Sequence, residues 1–144
     1  MNGRTLMIAL LAFAAVFAAA LVWFQFFAFY QRTTDFPVTV NGAPVAVAAY
    51  DGIDASSSPL KLRGCFVADP ADFAAAPPAP DAAPLLPPFW FRCFDARTLS
   101  VDLASGVATA RTLATDAPQG FDLMVALYPD GRGYLWRQLN ERYR

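Results

Sequence analysis

Few residues in this chain could do chemistry, and their types narrow it quickly. There is no histidine, one glutamate (Glu141), one lysine (Lys61) and one pair of cysteines. The absence of imidazole excludes histidine acid–base catalysis and histidine-containing zinc sites, and two cysteines are too few for a thiolate-only zinc site. What remains is a polar stretch, Asp51 and Asp54 with Ser56, Ser57 and Ser58. Its oxygens could serve a Ca²⁺ ion or a small ligand-sensing or enzymatic site, but the spacing and terminal glutamate of an EF-hand are missing. The same residue types also make a loop that bonds its own backbone. Ser58-Pro59-Leu60-Lys61 matches the S-x-x-K nucleophile pattern, whose partner motifs S-D-N and K-T-G are absent. That chemistry places serine and lysine on one helix face. Here Leu60–Val67 (LKLRGCFV) reads as a strand, where positions three apart point to opposite faces. No catalytic residue, metal or cofactor is therefore expected, and the balance leans away from an enzyme.

Cys65 and Cys93 remain. In an exported domain they would form one disulfide closing a 29-residue loop, a constraint of about 3.6 kcal/mol by chain entropy. In a cytosolic domain they would be two buried thiols. They lack the C-x-x-C spacing that tunes a redox dithiol.

The elements that must position these residues begin with the stretch from Leu6 to Tyr30. No charge falls between Arg4 and Arg32, and about 20 apolar residues span a ~30 Å hydrocarbon core. Arg4 before the run and Ala18-Ala19-Ala20 within it resemble a cleavable secretory signal. Continuation through Leu21–Phe24 into the aromatic Phe26–Tyr30 favours an uncleaved anchor with an interfacial belt. Residues 1–32 are thus expected to be a transmembrane anchor contacting lipid through residues 6–30. Residues 33–144 are expected to form one small extracytoplasmic domain. The free amine and Arg4 tip orientation toward N-inside.

In the domain, Asn41-Gly42 predicts a hairpin turn between Val38–Val40 and Val45–Ala49. Asp51-Gly52 and Ser56–Pro59 read as a loop. Asp69-Pro70 starts a helix that Pro77-Pro78 must stop by about Ala76. Residues 76–88 form a Pro/Ala-rich surface loop, a spacer or a polyproline docking segment. Asp95 caps a helix over 96–104 that ends at Gly106. Strands follow at 107–114, 121–128 and 133–140, the last two joined by a Tyr128-Pro129-Asp130-Gly131 turn. The expected fold class is α+β: the anchor helix, then a small, mostly antiparallel sheet with one or two short helices.

Charge is uneven. The formal total is −1, with eleven aspartates between residues 35 and 130, and Arg132, Arg137, Arg142 and Arg144 at the end. No block is basic enough for nucleic acid. Arg132 and Arg137, with Tyr134 and Trp136, read either as a contact surface for lipid or protein or as a solvated edge strand guarded by charge. Phe89, Trp90 and Phe91 read as core or as an exposed contact.

Several of these residues carry a family resemblance. Asp51–Leu60 with Arg63-Gly64-Cys65-Phe66, Phe91–Ala96, and Pro129–Arg132 with Trp136–Asn140 resemble the motifs of a small bacterial family. Met1-Asn2-Gly3-Arg4 before an apolar helix fits it too. That family has a single membrane helix and no assigned function, and members sometimes carry the label histidine kinase. A chain without histidine has none to phosphorylate. The resemblance and the anchor together imply the bacterial inner membrane, with the N-terminus cytoplasmic and the domain periplasmic. The expected role is accessory, assembly or scaffold protein of a membrane complex, with another membrane protein as partner.

Overall fold

The structure, a computed structural model, describes residues 2–144. It divides into two compact units, the second running Gln31–Arg144.

The first unit is helix α1, Gly3–Phe26. Its run of Ala, Leu, Met and Phe favours helix. Asn2 caps it, the side-chain oxygen accepting from Thr5 N at 2.9 Å. None of its side chains is buried, and it is long and apolar enough to cross a bilayer by length and composition. The helix stops at Phe26, so the aromatic residues Phe27–Tyr30 lie beyond it rather than in its last turn.

The second unit is α+β. Its strands are β1 (Gln31–Thr33), β2 (Thr39–Val40), β3 (Ala43–Pro44), β4 (Ala48–Asp54), β5 (Arg63–Val67), β6 (Thr109–Ala114), β7 (Phe121–Leu127) and β8 (Arg132–Leu139). Helix α2 spans Ala96–Ser105 between β5 and β6. Six strands form one antiparallel sheet in the order β1-β4-β5-β8-β7-β6, and β2 and β3 form a separate ribbon.

Local chemistry explains many of the boundaries. Asn41 and Gly42 take positive φ (50° and 80°) in the tight β2–β3 turn. Asp95 caps α2 by accepting from Arg97 N and Thr98 N, and Gly106 closes it in the left-handed conformation. Asp69 caps only a 3-10 turn, Pro70–Phe73, shorter than the expected helix. Leu60 and Lys61 are not strand but a 3-10 turn, Pro59–Lys61, which Ser58 caps. Pro59 fixes φ there, so β5 starts only at Arg63.

Both faces of the sheet are covered. One face packs Leu62, Phe66, Val125, Leu127 and Leu135 against Val38, Val40 and Phe73. Those partners come from the small ribbon and the 3-10 turn after Asp69. The other face carries Ile53, Met124 and Trp136, buried with Phe91, Phe94 and Leu99. Residues with more than one packed face bury more area per strand, which a domain of this size needs.

The Pro-rich segment is where expectation and structure differ most. It is a strap rather than a loose surface loop. Its first part runs along the outer edge of β6, with Thr112 N donating to Pro77 O (2.9 Å) and Ala79 N to Ala110 O (3.1 Å). Prolines at that edge offer no N–H to a further strand, so the edge is closed to pairing. Three sheet side chains then hold the strap: Arg111 donates to Ala76 O, Gln138 to Asp81 O, and Arg63 to Leu85 O and Leu86 O. Gln138 also accepts from Ala83 N at 2.8 Å and from Trp136 Nε1 at 3.2 Å.

Candidate functional site

The sequence places Asp51, Asp54 and the three serines in one loop. The structure separates them. Asp51 and Gly52 lie inside β4, whose register sets Asp51 opposite Cys65 and Gly52 opposite Gly64. Gly52 is a close-approach position, not a turn. Between Ala48 and Asp51 the strand bulges, Ala49 takes φ 52°, and the Tyr50 ring lies down over Gly52 and Gly64. A Cβ on Gly52 would stand 2.6 Å from Tyr50 ring atoms, and one on Gly64 would stand 2.4 Å from the Tyr50 oxygen.

Three residues apart on a strand, Asp51 and Asp54 leave the sheet on opposite faces. Asp51 accepts both Nε (3.0 Å) and Nη2 (2.9 Å) of Arg32, which comes from the neighbouring strand β1. The pair is open to solvent, where water and salt screen it. Asp54 accepts from Ala55 N at 2.8 Å and lies 3.8 Å from Arg137 Nη1. Ser56 and Ser57 are exposed, and Ser58 accepts from Leu60 N. The five residues therefore do not converge on one ligand. Among the described residues, no three His, Cys, Asp or Glu side chains gather as a metal site.

What the fold does assemble around Asp54 was not legible as a motif. The Tyr50 hydroxyl, the Thr33 hydroxyl and Arg137 Nε are buried, and none makes a hydrogen bond among the described residues. Burial pushes the Tyr50 phenol up to about 12. The Thr33 hydroxyl and the Arg137 charge oppose that shift, while Asp54 and Asp51 add to it. The neutral phenol is thus the folded form. Raised above its ordinary value of 10.0, it keeps its full contribution to stability below pH 10 and loses it as pH rises through 12. Replacing Tyr50 with Phe removes a buried hydroxyl that faces the Thr33 hydroxyl. It is expected to change neutral-pH stability by less than about 1 kcal/mol. It should also flatten the alkaline fall between pH 10 and 12, read by urea titrations at several pH values.

The basic C-terminal strand is not an edge. β8 lies between β5 and β7, near the middle of the sheet. Trp136 is fully buried, edge-on to Phe94 at 6.2 Å. Tyr134 is half-buried between Phe94 and Tyr128. Arg137 is half-buried beside Asp54. Of the four, only Arg132 is exposed, where it pairs with Asp130 and covers the Tyr128 ring at 4.2 Å. The reading of β8 as a charged edge fails because alternation buries every second residue of a central strand. Arginine can lie half-buried there when a carboxylate meets it.

Cys65 and Cys93 are disulfide-bonded, with Cα atoms 6.3 Å apart. The bond ties β5 to the end of the strap. The three aromatics before it divide: Phe91 is buried, Trp90 half-buried and Phe89 exposed.

The family of unknown function DUF6446 matches residues 34–144. The chain belongs to this family. No curated protein and no solved structure shows a significant match. The DUF6446 domain thus coincides with the unit that holds the sheet, the strap and the disulfide. Its interior polar groups Arg63 and Gln138 serve the strap, and Asn140 donates to Asp122 at 2.8 Å to hold the β6–β7 connection.

Proposed function

We propose that this DUF6446 protein is a non-catalytic accessory, assembly or scaffold protein of a membrane complex. It is a single-pass protein of the bacterial inner membrane, with its N-terminus in the cytoplasm and its domain in the periplasm. The observation that carries the reading is α1. An apolar helix of 24 residues with no buried side chain supports cover by lipid and by a neighbouring helix. Ala14 with Ala18, and Ala15 with Ala19, are small enough for a partner helix to approach closely. The disulfide supports an oxidising compartment for the domain, and Arg4 before the apolar run supports a cytoplasmic N-terminus. In the domain, the carboxylates of the polar stretch meet arginines of the same chain rather than a shared cleft.

The test is purification of the tagged protein from crosslinked native membranes in mild detergent, followed by mass spectrometry. The reading expects one dominant membrane complex, lost when Leu6–Tyr30 is replaced by an unrelated anchor. A partner-free monomer from the same membranes would overturn it.

A further inference from the structure

The most exposed large apolar side chains of the DUF6446 domain are Leu86 and Phe89, at 68% and 67%. They stand three residues apart on one loop, with half-buried Trp90 beside them. The loop is stiff. Pro84, Pro87 and Pro88 fix φ along it. Arg63 holds the carbonyls of Leu85 and Leu86, Phe91 N donates to Pro88 O at 3.0 Å, and Cys93 is bonded to β5. Apolar side chains presented on a fixed frame lose little conformational entropy when they enter a binding phase.

The charges beside the loop include several cations, one of which, Arg32, is paired with Asp51. No acid occurs from residue 82 to residue 94, and Arg92 is exposed. Arg63 joins the loop to Leu60 O in the turn that carries Lys61. The Arg32 guanidinium lies 6.0 Å from the centre of the Phe91 ring. Arg32 belongs to β1, which begins five residues after α1 ends. The end of the loop therefore lies beside β1, at one edge of the sheet.

We propose that the Leu86–Trp90 loop is a second membrane contact. Leu86, Phe89 and Trp90 enter the headgroup–acyl boundary of the bilayer, and Lys61 and Arg92 meet lipid phosphates. Tryptophan and phenylalanine favour that depth, and basic residues beside them add attraction to anionic lipid. The helix fixes the domain to the membrane, and the loop fixes which way the domain faces. This inference stands independently of the accessory-protein reading, because its occupant is lipid.

The test uses the full chain carrying Trp23→Phe, reconstituted in phosphatidylcholine–phosphatidylglycerol vesicles. Trp136 is fully buried, so subtracting the spectrum of a matched Trp90→Phe chain isolates Trp90. Lipids brominated at shallow acyl positions are expected to reduce the Trp90 emission roughly two-fold, and iodide in the water is expected to have little effect. A Leu86→Asp, Phe89→Asp chain with unchanged circular dichroism should lose the bromine effect. Trp90 emission quenched by iodide and untouched by bromine would overturn the proposal. So would emission shielded from both, accompanied by crosslinks between two copies of the chain. The bromine measurement on the unaltered loop decides the matter even if the double variant does not fold.

Discussion

Replacing Cys65 and Cys93 together with serine is expected to lower the domain's stability by about 3.6 kcal/mol, the chain-entropy value for a 29-residue loop. For a domain of roughly 110 residues this corresponds to a fall in Tm of about 15–20 °C. Without the bond, the segment between β5 and α2 must be ordered by its own contacts. Those contacts are chiefly hydrogen bonds from Arg63, Arg111 and Gln138 to the strap. Losing the covalent closure therefore weakens the whole of the sheet face that the strap covers, including Trp136 and Phe94. Thermal melts of the full chain in detergent, oxidised and serine-substituted, measure this directly. A Tm unchanged within a few degrees would mean that the strap is held by its side-chain anchors alone.

Arg63→Ala is the second large effect, expected at about 3–5 kcal/mol. Arg63 is 5% exposed. Its guanidinium donates to four carbonyls: Leu85 O at 2.8 Å, Leu86 O at 3.3 Å, Leu62 O at 2.7 Å, and Leu60 O. Two of these lie on the strap and two at the 3-10 turn before β5, so one side chain ties segments more than twenty residues apart. The ring of Phe94 lies 5.9 Å from the guanidinium. Alanine leaves the buried Leu62 carbonyl and three partly buried carbonyls without this donor and opens a void beside Phe94. Arg63→Lys keeps the charge but cannot fork to four acceptors, and it is expected to recover less than half of the loss. Urea midpoints at constant m-value are the readout. A shift of under about 1 kcal/mol for Arg63→Ala would show that the strap does not depend on this side chain.

Local chemistry was legible in the sequence; long-range placement was not. The apolar helix, the Asn41-Gly42 turn, the Asp95 and Gly106 caps of α2 and the Cys65–Cys93 bond all follow from residues acting on near neighbours or from a pair with only one pairing. β1 gave no signal, because three residues beginning Gln-Arg have no pattern of their own and form a strand only by pairing with β4. Asp51-Gly52 looked like a turn because those residue types favour turns, yet Gly52 is required by the Tyr50 ring that lies on it. Nothing local marks Arg63 and Gln138 as interior, and Arg137 reads as a contact surface or a solvated edge, because charged and amide side chains usually face water. All three are buried or half-buried because a strap, or Asp54, distant in sequence, returns to meet them. Asp51 and Asp54 looked like one site, and β4 sends them to opposite faces. The division of Phe89, Trp90 and Phe91 into exposed, half-buried and buried depends on where the strap ends, which no local rule specifies.

We propose that an apolar helix anchors this disulfide-stapled domain on the oxidising side of a membrane. The state of Cys65 and Cys93 in intact cells, trapped by acid, alkylated without reductant and read by mass spectrometry of the peptides, tests this. The two cysteines are expected to be joined and unalkylated in the membrane fraction, and to become alkylated only after reduction. Alkylation of both cysteines in the unreduced sample would place the domain in a reducing compartment, and both the staple and the proposed orientation would be wrong.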